Sequence, residues 1–230
     1  MAEWNDLERR LWGLRRRIAE AAERAGRRPD EITLIAVSKT FPAEAIRTAY
    51  RAGLRDFGEN YVQEFEAKTA ALEELPGARF HLIGHLQSNK ARRAVQLFDS
   101  IQTVDSLRLA RRLEEAVASS RPERKLPVMI EVKLSPEESK AGVTPEQLPE
   151  LVEALRACPH LQLTGLMTMP PYSEHAEDSR PYFRRLRALA QLYRLPQLSM
   201  GMSHDFEVAI EEGATHVRIG TALFGRRQAR

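Results

Sequence analysis

The 230-residue chain is 43% hydrophobic and 29% charged, the proportions of a globular protein, and its 35 basic and 32 acidic residues leave a net charge of only +3. It shows no basic stripe for nucleic acid, no apolar run near the ~18–20 residues of a membrane helix, and no basic-then-apolar export signal behind Met1-Ala2-Glu3-Trp4. The single cysteine, Cys158, cannot form an internal disulfide, and together these features suit the cytoplasm.

Trp4, Leu7, Leu11, Leu14, Ile18 and Ala21 recur at three- and four-residue steps, which predicts an opening amphipathic helix stopped near Gly26. Strand and helix patterns then alternate. The apolar run 32–39 predicts a first strand ending in Lys39, and Pro42 opens a helix to about 52. A short strand over 54–58 precedes a helix over 61–74, and a strand over 79–84 precedes a helix near 89–97. The fourth strand, 100–104, leads to a helix running to about 118 and capped by Asp105 or Ser106. A fifth strand at 127–132 is followed by a long loop and a helix over 145–157. The sixth, 161–166, leads through Pro170-Pro171 into a helix carrying Phe183, Leu186 and Leu189. The seventh, 197–200, has a helix near 205–211, and the eighth, 215–219, is followed by a turn with Leu223 and Phe224.

Eight strands alternating with helices, at roughly 25 residues per unit, predict an α/β protein built as one parallel (β/α)8 TIM-type barrel with an extra N-terminal helix. That barrel fills residues 1–230 as a single domain. An open doubly wound sheet is the rival, but it normally uses fewer strands, and the turn 38–42 lacks a glycine-rich phosphate loop.

Chemistry in such a barrel gathers where the strands exit. The first exit carries Lys39, in a chain with only six lysines among its 35 basic residues. Arginine stays protonated, whereas a partly desolvated lysine can lose its proton and attack a carbonyl; the plain alternative is a lysine that snorkels into water. The second exit carries Asn60. The seventh and eighth carry Ser199-Met200-Gly201-Met202-Ser203 and Arg218-Ile219-Gly220-Thr221, at the recurrent phosphate position of the fold. Small residues, hydroxyls and unhindered backbone N–H groups suit an anion; the plain alternative is a pair of turn glycines. A strand-one lysine opposite that cradle implies a phosphorylated aldehyde or ketone, with pyridoxal 5′-phosphate (PLP) and a sugar phosphate as the candidates. Arg218 can hydrogen-bond a pyridine nitrogen or pair with Glu131 or Glu207. His81 and His85 lie on a strand pattern and make no helical metal pair, and His204-Asp205 reads as a helix cap. Met200 and Met202 read as packing side chains.

Several stretches carry a further signal: Ala36-Val37-Ser38-Lys39-Thr40, Phe57-Gly58-Glu59-Asn60-Tyr61, His81-Leu82-Ile83-Gly84-His85-Leu86-Gln87-Ser88, Ser139-Lys140-Ala141-Gly142, Ser199-Met200-Gly201-Met202-Ser203 and Val217-Arg218-Ile219-Gly220-Thr221. In these the chain resembles the pyridoxal phosphate homeostasis protein family, relatives of the alanine racemase N-terminal barrel. The resemblance implies that Lys39 holds PLP as a Schiff base. It implies further that Ser199, Ser203, Gly220 and Thr221, with Met200 in the same segment, surround the phosphate, that Arg218 faces the ring nitrogen, and that Asn60 lies beside the cofactor. His204 stands where a small or acidic residue is expected. Similar racemases use a second domain with a catalytic tyrosine, and the chain stops at Arg230. The resemblance therefore implies a PLP binder that buffers and delivers the cofactor to PLP-dependent apo-enzymes, as a monomer with little or no turnover. A racemase or Schiff-base lyase is the alternative.

Overall fold

The computed structural model describes residues 6–72, 75–135, 137 and 141–225. Eight parallel strands pair in chain order and close into a barrel: β1 (Thr33–Val37), β2 (Asp56–Glu59), β3 (Arg79–Leu82), β4 (Ser100–Val104), β5 (Leu126–Glu131), β6 (Leu161–Met167), β7 (Gln197–Met202) and β8 (His216–Ile219). Between them run α2 (Ala43–Arg51), α3 (Val62–Thr69), α4 (Ala91–Leu97), α5 (Leu107–Ser120), α6 (Leu148–Arg156), α7 (Arg180–Leu192) and α8 (Phe206–Glu211). An added α1 (Leu7–Arg24) precedes the barrel and a four-residue α9 (Thr221–Phe224) follows it. This is the TIM-type barrel with an N-terminal helix that the alternation predicts.

Boundaries differ where local chemistry intervenes. The first strand stops at Val37, so Lys39 rides on the turn beyond it. The helix expected over 61–74 ends at Thr69 and tightens into a 3-10 turn, Ala70–Leu72; Glu73, Glu74 and Trp4 lie outside the described residues. Ser106, not Asp105, caps α5, its Oγ accepting from the Leu109 N–H at 3.3 Å.

The main apolar core lies between barrel and helices. Phe65 packs its ring 4.6 Å from Phe80 and 4.9 Å from Phe98, joining α3 to the strand layer. Leu7, Leu11, Leu14, Ile18 and Ala21 form the buried stripe of α1, which packs on α8 and α9. Charges latch the same seam: Arg17 is bidentate to Glu207 at 3.1 and 2.9 Å, Arg24 reaches Glu211 at 2.8 Å, and Arg180 bridges Glu177, Glu211 and Glu212. The N-terminal end of the barrel is closed by polar groups. There His81 sits between Asp56 at 2.8 Å and Ser100 at 2.6 Å, and burial pushes His216 down to about 4.

Two glycines test this packing in opposite directions. Gly165 lies beside a register shift between β5 and β6, and a Cβ there would sit 2.1 Å from the Gln197 carbonyl oxygen. Gly13, inside α1, has nothing within 4 Å of that position. Gly165→Ala is therefore expected to cost roughly 1–3 kcal/mol, by forcing neighbouring strands apart. Gly13→Ala is expected to gain about 0.5–1 kcal/mol from helix propensity. Urea unfolding midpoints check both signs.

Candidate functional site

Beyond Val37 the chain turns at once: the Phe41 N–H donates to the Ser38 carbonyl at 3.1 Å, and Thr40 takes φ 66°, a left-handed conformation costly for a side chain branched at Cβ. Lys39 is half-buried on this turn. A buried network holds the turn from beneath. Ser38 Oγ donates to Glu59 Oε1 at 2.7 Å, while Lys68 Nζ donates to both Glu59 oxygens, at 2.9 and 3.1 Å, and to the Ser38 carbonyl at 3.1 Å. Glu64 accepts from Lys68 at 2.8 Å and from the Thr40 N–H. The backbone on both sides of Lys39 is thus tied to α3. Burial raises the Glu59 carboxyl above its ordinary value, although Lys68 and Ser38 pull it back. Sequence reasoning missed this clamp. Its signals were a glutamate closing a buried strand and a Glu64/Lys68 pair one helical turn apart.

On the other flank, β7 and β8 change register between Ser199 and Met202. Gly201 makes the bend at φ 92°, and a Cβ there would lie 2.5 Å from that of Ala209, so only glycine lets this segment press on α8. Asp205 pins the segment from behind, accepting from the Met202 N–H at 2.7 Å and the Ser179 hydroxyl at 2.8 Å. It makes no capping bond to α8, which corrects the reading of His204-Asp205 as a cap. Ser203 Oγ accepts from the Ala222 N–H at 3.2 Å and so joins the turns after β7 and β8. Gly220 is half-buried, and a Cβ on it would meet only Val37, at 3.5 Å or more; Thr221 is exposed beside it.

Closure pairs β1 with β8, Ala36 opposite Ile219. Lys39 therefore flanks the Gly220–Thr221 turn on a neighbouring strand, where the sequence picture had it opposite. Asn60 ends the adjacent β2 exit, and Gly84 is what lets it pass: a Cβ at 84 would lie 2.4 Å from the Asn60 carbonyl oxygen.

Arg218 lies below the turns, 4% exposed. It donates to Ser199 Oγ at 2.7 Å and to the Thr168 carbonyl at 2.9 Å, and Ser199 donates onward to Gln102 Oε1 at 2.7 Å. Ser199 and Met200 are fully buried, so the Ser199 hydroxyl serves Arg218 and Met200 fills the core. Burial pushes the Arg218 guanidinium down to about 10, with Glu131 and Asp205 opposing, so it remains charged at neutral pH. Glu207 is committed to Arg17, and Glu131 acts on Arg218 only through space. Glu131, at the β5 exit, entered the sequence reading only as an alternative partner for Arg218. Burial and the nearby Asp105 push its carboxyl up to about 7, against Arg218 and His85.

One barrel mouth thus gathers Lys39, Asn60, Ser203, Gly220 and Thr221 above Arg218, with Ser199 and Met200 beneath. The set fits a phosphorylated carbonyl compound: an amine, two small-residue turns bound to each other, and a buried cationic donor. His81 and His85 fall at opposite barrel ends, and no group of three potential metal ligands occurs among the described residues. Ser139-Lys140 lies outside those residues.

The family model for alanine racemase, N-terminal domain, matches residues 11–228. More narrowly, the chain belongs to the pyridoxal phosphate homeostasis protein family. It is 48% identical over 225 residues to the member from Aquifex aeolicus, covering 95% of this chain and 97% of that one. It is 50% identical over 213 residues to the member from Pseudomonas aeruginosa, covering 92% and 91%. Among solved structures it is similar to PipY of Synechococcus elongatus without PLP, with TM-score 0.85 and 42% identity over 95% of this chain and 100% of that one. It is also similar to PipY with PLP bound, with TM-score 0.78 and 44% identity over 90% and 100%.

Two measurements probe the electrostatics. Lys68→Met strands Glu59 in the interior and is expected to cost roughly 3–5 kcal/mol, whereas pairing it with Glu59→Gln recovers most of the loss; chemical denaturation of both variants checks this. Glu131 binds its proton more tightly folded than unfolded, so its contribution is complete below 4.5 and disappears as pH rises to about 7. Glu131→Gln is expected to flatten the stability–pH curve across that window by up to roughly 3 kcal/mol, read as the wild-type minus variant difference.

Proposed function

We propose that this protein binds PLP through a Schiff base on Lys39, buffers it and hands it to PLP-dependent apo-enzymes, acting in the cytoplasm as a one-domain monomer with little or no turnover of its own. The observation that carries this reading is the adjacency of the clamped Lys39 turn to the joined turns at Ser203 and Gly220–Thr221, above a buried Arg218. It is supported by the membership of the homeostasis family and by the PLP bound in PipY.

PLP supplies a reactive aldehyde and an electron-accepting ring when bound. The chain's residues would divide the work. Lys39 would offer the amine, on a turn whose flanking residues are held by Glu59, Glu64 and Lys68. Ser203, Gly220 and Thr221 receive the phosphate on hydroxyls and backbone that no side chain blocks. Arg218, oriented by Ser199 and Thr168, offers a donor to the ring nitrogen. A guanidinium that stays charged at neutral pH keeps that nitrogen from taking a proton, which weakens the ring as an electron sink. The same site therefore favours holding the cofactor over catalysis with it. Asn60, just past the end of β2, would lie beside the cofactor.

Protein supplied with PLP is expected to show an imine absorption band at about 420 nm. Borohydride reduction and peptide mass spectrometry should place the adduct on Lys39, and Lys39→Ala should abolish both. An adduct on another lysine refutes the assignment, and rapid conversion of L-alanine to D-alanine by pure protein refutes the carrier reading.

A further inference from the structure

Between the exits of β5, β6 and β7 lies a cavity of about 440 Å³, within the size range of small-molecule sites. Four buried side-chain polar atoms among the described residues have no hydrogen-bond partner, and two of them, Glu131 Oε2 and Ser135 Oγ, belong to residues lining this one cavity. Their side chains lie in residues only 3% and 7% exposed. A buried acceptor left without a donor keeps its full desolvation penalty, so a pair sharing one cavity marks a place where a ligand completes the bonding.

The lining selects that ligand's chemistry. Glu131 repels an anion and asks for N–H or O–H donors. Lys133 and Glu137 also line the cavity and offset each other in formal charge, leaving the Glu131 carboxyl to set its sign. The opposite wall is apolar: Met169, Pro170, Tyr172 and Met202. Met169 and Tyr172 are large hydrophobic side chains left 37% and 81% exposed. A compact cation on an apolar stem meets both walls: the carboxylate and hydroxyl accept its N–H groups, and the tyrosine ring and methionines cover its carbons.

We propose that this cavity is a binding site for a primary alkylammonium group, its nitrogen held by Glu131 and Ser135 and its stem packed on Met169, Tyr172 and Met202. The site does not depend on Lys39 carrying PLP. Asp105, His85 and Arg218 are the charged groups that face Glu131, besides the Lys133 and Glu137 that share its cavity. A cation arriving beside a carboxyl poised near neutrality favours its ionised form, so binding expels a proton and strengthens from pH 6 towards pH 8.

The test uses PLP-free protein titrated with butylamine hydrochloride by calorimetry, in two buffers of different ionisation enthalpy. Saturable binding with proton release near pH 7 is expected, with no binding of 1-butanol at the same concentrations. Glu131→Gln should weaken binding at least about tenfold and remove the proton release, and Ser135→Ala should weaken it several-fold. Tyr172→Ala, at an exposed position that folding does not need, should weaken it while leaving the circular dichroism unchanged. A peptide with one internal lysine is the second arm. If it binds as butylamine does, protein side chains are admitted; if only butylamine binds, the site takes free amines, and either result supports the proposal. Equal binding of butanol, an unchanged Glu131→Gln variant, or filling by ordered water alone overturns it. So does loss of butylammonium binding on protein whose PLP adduct has first been fixed by borohydride reduction, which removes imine exchange and would assign the cavity to the cofactor's own volume.

Discussion

Everything at the barrel mouth depends on the pairing of the first strand with the last. Ala36 lies opposite Ile219 across that seam, and just beyond it the Phe41 and Phe224 rings meet with centroids 5.0 Å apart. Parallel strands cannot be joined by a tight turn, so every neighbour around the ring needs a helical crossover. Seven such crossovers, α2 to α8, carry the chain round to β8, which pairs back onto β1.

Electrostatics then divides the mouth into two buried systems with different characters. Under Lys39, an ion pair is enclosed with its hydrogen bonds satisfied: Lys68 serves Glu59, Glu64 and the Ser38 carbonyl at once. Such an arrangement adds little net stability over apolar packing but specifies one conformation of the turn it holds. Under the second flank, Arg218 is surrounded by neutral acceptors, Ser199 and Thr168, with its nearest carboxyl influence coming from Glu131 at a distance. A cation without a contacting anion keeps a field directed at whatever occupies the space above it. The two systems suit an attachment point and a recognition point.

Much of the fold was legible because strands buried on both faces read as apolar runs, and here each is followed by a clear helical period. The long apolar segments 127–132 and 161–166 fall within a residue of the true β5 and β6. The reading failed where tertiary contacts, not periodicity, decide. Lys39 belongs to a turn whose φ at Thr40 is dictated by the Glu64 side chain, one helix away. Ser199 looked like a phosphate ligand because it sits in a glycine-containing run, yet alternation in β7 turns it inward to Arg218. Gly220 and Thr221 stood out because they follow the last strand, and the structure leaves them half-buried and exposed at the barrel mouth. Glu131 was visible only as a partner for Arg218 and Ser135 not at all, since a lone carboxylate or hydroxyl carries no pattern until a cavity surrounds it.

The ion pairs along the α1–α8 seam have a consequence for how the molecule meets heat. Arg17 and Arg24 fasten the first helix to the last full one, and Arg180 gathers three glutamates on the same side. The hydration that competes with such pairs becomes less favourable as temperature rises, while apolar stabilisation levels off. A belt of guanidinium forks around the seam thus weighs more in hot solution than in cold. Arg17 and Arg24 give part of the sequence's excess of arginine over lysine a location: they tie the helix before the first strand to the helix before the last.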